Sequence, residues 1–254
     1  NPGSKRIHIF TGQIWANYDG IKRTLFKFID KLTIKFSNYI FFDSNSQIKY
    51  IKKNGLKFDN SFLISGGSIK GVNLSLFKFN EKLKLTQKKR YKLKNNDLVL
   101  MFIGRISEDK GIKNILKAFT SLNRKYNFIH LFLIGKDEMN LKLYLEENNL
   151  IKRNIHLLNH KNDIHNYLNF ADIICLPSYR EGFGSIIIEA SSMNIPILGS
   201  DIYGTRDCLI NNFNGLRFNT YSQIDLEIKL KRLISNSKLR NQLGINGRKF
   251  VEKR

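Results

Sequence analysis

From Asp97 onward, short apolar runs of β-prone residues alternate with stretches whose apolar positions recur at helical spacing. The pattern predicts strands at 97–104, 128–135, 154–159, 171–177, 195–200 and 216–219. It predicts helices at 110–124, 139–149, 162–169, 185–193 and 222–235, the first with Ile112, Ile115, Leu116 and Phe119 along one face. Strand and helix in this rhythm are the βαβ units of a doubly wound parallel sheet, which makes the fold class α/β. Before Asp97 the pattern is looser. Ile7–Phe10 and Tyr39–Phe42 read as strands, and Gln47–Lys53 reads as a helix stopped by Asn54-Gly55. Between them, Ile21–Phe36 is amphipathic. Ile21, Leu25, Phe28, Ile29, Leu32 and Phe36 fall on one side, with Lys22, Lys27, Lys31 and Lys35 largely elsewhere.

The chemistry concentrates at the carboxyl ends of two predicted strands, the edge at which open α/β sheets bind ligands. The first place is Pro177-Ser178-Tyr179-Arg180-Glu181-Gly182-Phe183-Gly184-Ser185, which runs into an apolar helix containing Glu189. Gly182 and Gly184 let backbone approach a ligand, and Gly184-Ser185 would open a helix whose unpaired N–H groups favour a phosphate. Glu189, one turn further on, can accept hydrogen bonds from a vicinal diol such as a ribose, with Glu181 on the other side of the phosphates. Taken singly, Glu181 reads as a solvated loop residue and Glu189 as a helix-surface charge. Around Gly-Phe-Gly, the pair reads as a bracket for a nucleotide-sugar. The second place is Gly104-Arg105-Ile106-Ser107-Glu108-Asp109-Lys110-Gly111, a strand-to-helix turn flanked by two cations. No Asp-x-Asp motif and no metal-ligand spacing of His and Cys is present, so the sequence implies no metal.

These two stretches resemble the retaining glycosyltransferases of the two-domain GT-B fold, family 4 (group 1), whose Glu-x7-Glu motif Glu181 and Glu189 match. The likeness continues through Ile195–Gly204 and Asn214-Gly215-Leu216. It is closest to the bacterial branch that builds surface polysaccharides and lipid-linked oligosaccharides, on Pro177–Gly184 and Ile202-Tyr203-Gly204. The resemblance implies two Rossmann-like doubly wound domains. Residues 1–80 would be the later part of an acceptor-binding N-terminal domain, 81–96 a basic linker, and 97–254 the donor-binding domain. Phe62-Leu63-Ile64-Ser65-Gly66-Gly67-Ser68 and Gly71–Phe77 match the end of the acceptor domain, with Asn73 where Asp is common. On this reading the chain lacks the opening of the first domain, which is incomplete, and a final helix that crosses back to it.

The resemblance also assigns roles. Glu189 would hold the ribose, Gly104, Arg105 and Lys110 the diphosphate, and the backbone around Phe183, Gly184 and Ser185 the phosphates and sugar. Glu181 would be the catalytic residue that contacts the transferred sugar. The implied activity moves a hexose or N-acetylhexosamine from a nucleotide-sugar, a UDP-sugar, to a saccharide or lipid-diphosphate-linked acceptor. The nucleotide-sugar is then a substrate, and no cofactor is required. Asn159 stands in the base-contacting turn where the family has Gly, which leaves the base open, and His160 beside it reads either as a nucleotide contact or as a solvated loop residue. Many relatives place a His where Thr11 stands. His8, three residues earlier on a regular strand, faces the other way and is assigned no chemical step. A sugar-nucleotide 2-epimerase of the same architecture is the alternative enzyme, although it lacks the Glu-Gly-Phe-Gly form of the loop.

Charge adds one expectation. The chain of 254 residues carries a net charge of +22. Residues 1–96 hold 20 Lys/Arg against 5 Asp/Glu, and residues 97–254 hold 23 against 16, so the excess lies in the acceptor half. No apolar run approaches the ~20 residues that span a bilayer. The Ile21–Phe36 segment reads either as a helix packed on a core with a lysine-rich outer face or as one lying on an anionic membrane surface. The expected location is cytoplasmic, peripheral on the inner face of the membrane. A nucleic-acid-binding module would also be basic, but the basic residues are not interleaved with stacking aromatics in a binding motif. Cys175 and Cys208 read as reduced structural residues.

Overall fold

The computed structural model describes residues 4–63, 67–150 and 154–253. Ile64, Ser65 and Gly66 of the expected acceptor-domain turn lie outside the described residues. The chain forms two compact units. The first comprises residues 1–71 together with Tyr179–Ser185 and Ile202–Cys208, and the second comprises Val72–Ser178, Ile186–Asp201 and 209–254.

In the first unit, β1 (Ile7–Phe10), β2 (Tyr39–Phe42) and β3 (Ser61–Leu63) form a parallel sheet in that order. Helix α1 (Gly20–Phe36) connects β1 to β2, and α2 (Asn45–Lys53) connects β2 to β3. The Ser44 hydroxyl caps α2 by accepting the Gln47 N–H, and Asn54-Gly55 ends it as expected. Phe10, Trp15, Ile40, Phe42, Ile51, Leu56 and Phe58 make the core. Trp15 Nε1 donates to Asp30 Oδ2 on α1 at 2.7 Å, so the one tryptophan is buried with its polar end paired. Phe26 and Ile34 of α1 pack on this core. The apolar stripe read from the sequence does not: Ile21, Leu25, Phe28, Ile29, Leu32 and Phe36 are exposed.

The second unit opens with α3 (Glu81–Arg90), followed by β4 (Leu98–Ile103), α4 (Ile112–Asn123), β5 (Ile129–Ile134), α5 (Leu141–Glu147), β6 (Ile155–Leu158), α6 (Ile164–Leu168) and β7 (Ile173–Leu176). Helix α7 (Ser185–Ser191), β8 (Ile197–Ser200), β9 (Gly215–Phe218), α8 (Gln223–Ser235) and α9 (Ser237–Glu252) complete it, with Ser185 of α7 counted in the first unit. The strands are all parallel in the order β6-β5-β4-β7-β8-β9. Counted from β4 as the first strand, this is the order 3-2-1-4-5-6 of a dinucleotide-binding sheet. Strand order reverses between β4 and β7, so their carboxyl ends flank the switch point. Leu98–Phe102 and all of β7 are buried, in keeping with apolar runs covered by helices on both faces.

Two stretches differ from the pattern read in the sequence. Residues 81–96, expected as a basic linker, contain α3, whose Asn80 cap accepts the Leu83 N–H. The Lys88 ammonium is buried and donates to the carbonyls of Asn95 and Asp97, both at 2.8 Å. The stretch after Asn236, to which no helix was assigned, is α9.

Candidate functional site

Arg105 follows β4 directly at the switch point. Its placement comes from a short parallel bridge between Ile106 and Asp137, which continues the β4–β5 pairing beyond the strands and lays the two loops side by side. The guanidinium is half-exposed. Its Nη1 lies 3.0 Å from Glu138 Oε2 and its Nη2 3.8 Å from Asp109 Oδ2, so two carboxylates orient it without burying it. Lys110 ends a 3-10 turn, Glu108–Lys110, that precedes α4. Gly111 then takes a left-handed φ of +64°, and a Cβ there would collide with the carbonyl of Pro177 at the end of β7. The β4–α4 turn therefore lies against the start of the Pro177 loop, and only glycine permits that approach. Gly104, Arg105 and Lys110 are brought together at one edge of the sheet, where the sequence reading put them.

Glu189 sits in α7, half-buried among Ile186, Ile187, Ile188 and Ala190, which are buried. Glu181, Phe183, Gly184 and Ser185 belong to the segment counted with the first unit. There, Phe183 is buried, Glu181 is half-buried and Gly184 takes a φ of +76°. The eight expected site residues thus divide between the two units: four in the β4–α4 turn and α7, four in the 179–185 segment. His160 lies exposed in the turn after β6, its Nε2 3.2 Å from Asn162 Oδ1. His8 lies on β1 with its ring edge-on to Phe10, and Thr11 follows the strand.

Asp43 was not singled out as a site residue in the sequence. Asp43 ends β2 buried, and burial raises its pKa above the usual carboxylate value against a backbone hydrogen bond from Ile69 that lowers it. The Cys208 thiol donates to the Phe183 carbonyl at 2.8 Å. Both cysteines are reduced and buried, and burial alone pushes the Cys175 thiol up to about 12, which makes it inert. Among the described residues, no group of three His, Cys, Asp or Glu is placed to hold a metal ion, and no helix is long and apolar enough to cross a membrane.

What the arrangement offers is a partly solvent-accessible turn carrying Arg105 and Lys110 at the switch point of a dinucleotide-type sheet, with a carboxylate on the helix that follows the neighbouring loop. Residues 84–250 match the family model described as glycosyl transferases group 1. The chain is 28% identical over 256 residues to the capsular polysaccharide biosynthesis glycosyltransferase CapM of Staphylococcus aureus, an alignment covering 97% of this chain and 65% of that one. It is 31% identical over 235 residues to the N,N'-diacetylbacillosaminyl-diphospho-undecaprenol alpha-1,3-N-acetylgalactosaminyltransferase of Campylobacter jejuni, covering 89% and 60%. The chain therefore spans less than two thirds of the length of either relative. In fold it is similar to HepE of Anabaena, whose crystal structure holds UDP and glucose, with a TM-score of 0.82 at 16% identity over 98% of this chain and 67% of that one. The family match takes in the β4–α4 turn, the Pro177 loop and α7 together, and the chain belongs to the glycosyl transferases group 1 family, with a fold of the GT-B type.

Proposed function

We propose that the chain carries the donor site of a retaining glycosyltransferase that moves a hexose or N-acetylhexosamine from a UDP-sugar to a lipid-diphosphate-linked saccharide in polysaccharide or glycolipid synthesis. The observation that carries this reading is the position of Arg105 and Lys110 in the turn at the switch point, Arg105 exposed and aimed by two carboxylates, with Glu189 on the helix after the next loop. In the reaction, the bond between the anomeric carbon and the diphosphate oxygen breaks, and its electron pair leaves with the UDP. The acceptor hydroxyl bonds the same carbon on the same face and passes its proton to the departing diphosphate oxygen. Arg105 and Lys110 supply positive charge where negative charge develops on the leaving diphosphate. Glu189 accepts hydrogen bonds from the ribose diol, and Glu181 holds the sugar as the glycosidic bond opens.

The choice of UDP is supported by HepE, a structure of the same fold solved with UDP and glucose. The choice of acceptor is supported by the Campylobacter relative, whose name specifies a diphospho-undecaprenol-linked saccharide. A lipid-linked acceptor requires the enzyme at a membrane surface, and the exposed apolar stripe of α1 with its neighbouring lysines has the composition to lie on one. The deciding experiment is thermal unfolding with UDP, GDP and ADP and their sugar conjugates, alongside Glu189→Ala and Arg105→Ala. A nucleotide at a hundred times its dissociation constant adds about 2.7 kcal/mol to the folded state. The expected result is a shift with UDP and UDP-sugars that both substitutions abolish. A shift with another base would replace UDP in the reading, and a UDP shift untouched by either substitution would remove the assigned site.

A further inference from the structure

Within the first unit, the 179–185 segment is held from several sides. A Cβ on Gly182 would collide with the Thr11 carbonyl and come 2.8 Å from Asp43 Oδ2, and a Cβ on Gly204 would collide with the Glu181 carbonyl. The Ser44 hydroxyl lies 3.3 Å from the Gly182 carbonyl. The backbone of Glu181 and Gly182 is therefore seated between the end of β1 and the Tyr203-Gly204 turn, with glycine where the approach is closest. Packing this tight transmits any displacement of the turn directly to Glu181.

The turn is fastened in its own right. The Ser46 hydroxyl lies 2.5 Å from the Tyr203 carbonyl and 2.8 Å from Asp207 Oδ1, its single proton shared between them. The Ser46 N–H, in the first turn of α2, donates to Asp207 Oδ2 at 3.1 Å, so the carboxylate answers the positive end of that helix. The Tyr203 ring stacks on Tyr50 of α2, centroids 4.3 Å apart and planes 16° apart, and its hydroxyl accepts the Gln13 N–H at 3.0 Å. The Tyr203–Asp207 turn is thus pinned to α2 at both ends and, through the Tyr203 hydroxyl, to the loop after β1.

We infer that Ser46 and Asp207 are positioning residues: by latching the Tyr203–Asp207 turn to α2, they fix the backbone of Glu181 where its carboxylate can meet the sugar. The importance of Glu181 to the sugar rests on the function proposed above, whereas the latch rests on geometry alone. The two are separated by measuring different things. Hydrogen exchange is followed over residues 181–184 in Ser46→Ala, Ser46→Thr and Asp207→Ala, with β4 and β7 as internal references. Affinity for UDP and for UDP-glucose, UDP-galactose and UDP-N-acetylglucosamine is measured in the same variants and in Glu181→Ala.

The latch predicts at least fivefold faster exchange at 181–184 in Ser46→Ala and Asp207→Ala, unchanged β4 and β7, and near-normal protection in Ser46→Thr, which keeps the hydroxyl. It also predicts that the extra affinity contributed by the sugar falls about tenfold while UDP affinity stays within twofold. Unchanged exchange at 181–184 would overturn the latch, as would a rise shared equally by β4 and β7, which marks general loosening. Faster exchange with the sugar contribution intact would overturn its bearing on the reaction. If Glu181→Ala leaves the sugar contribution unchanged, it is the role given to Glu181 that fails, and the exchange measurement still decides the latch.

Discussion

The aim of the Arg105 guanidinium is set by two weak partners. Arg105 meets Glu138 and Asp109 in partly exposed pairs, and pairs of that kind contribute about 0–1 kcal/mol each. They are strong enough to aim the guanidinium and too weak to compete with a diphosphate, which offers bidentate acceptors and more charge. Arg105→Ala should therefore weaken UDP binding by at least about tenfold, or ~1.4 kcal/mol, by calorimetric titration. Arg105→Lys should recover only part of it, because an ammonium cannot make the planar fork. Glu138→Gln should leave UDP binding unchanged or tighten it slightly. Arg105, Lys110, Glu181 and Glu189 could be singled out as candidates in the sequence because each lies in a short motif with fixed spacing. Ser46 and Asp207, 161 positions apart, were not, since no local pattern announces that a helix start and a distant carboxylate will meet.

At the scale of elements, hydrophobic period revealed those that bury a stripe and missed those held by other means. Helix α3 has few apolar positions and no continuous face, so residues 81–96 read as a linker, but Lys88 fastens the helix to the Asn95 and Asp97 carbonyls. Replacing Lys88 with Met should cost about 1.5–3 kcal/mol by chemical denaturation, the range for hydrogen bonds to a charged group. Helix α9 was missed because Gly244 and Gly247 disfavour a helix by propensity, whereas here both are buried and Gly244 lies directly on the Asn194 carbonyl.

The edge of the sheet carries a titrating pair. His156 on β6 stacks on Phe132 and has its Nε2 3.2 Å from His130 Nδ1, and His130 Nε2 lies 3.3 Å from Asp97 Oδ2. Burial first, and the neighbouring His130 second, push the His156 pKa down from 6.5 to about 4. The folded value is below the unfolded one, so the unfolded chain binds more protons between them. Stability from this group is complete above about 6.5 and is lost as pH falls toward 4. Burial lowers His130 as well, against the pull of Asp97, and adds in the same direction. The melting temperature of the parent should drop across that window more steeply than that of His156→Phe, which keeps the stacking and removes one proton site.

For the molecule as a whole, the question is whether charge alone or charge with an apolar face would hold it to a membrane. The net charge of +22 is weighted to residues 1–96, and α1 puts Leu25, Phe28 and Ile29 into solvent beside Lys22, Lys27 and Lys31. A lysine near an anionic leaflet contributes about 1 kcal/mol, an attraction that fades within a Debye length. Burying an apolar side chain contributes roughly 1.5–3 kcal/mol, and salt does not weaken it. Vesicles containing phosphatidylserine should therefore bind the chain well at low salt and neutral phosphatidylcholine vesicles poorly, with a fraction of the binding surviving at high salt. That surviving fraction is the signature of α1. Leu25→Ser with Phe28→Ser should remove it while sparing most low-salt binding, and Lys22→Gln with Lys31→Gln should do the reverse. If the double serine variant binds like the parent at every salt concentration, α1 is not the anchor and its apolar face serves contact with protein instead.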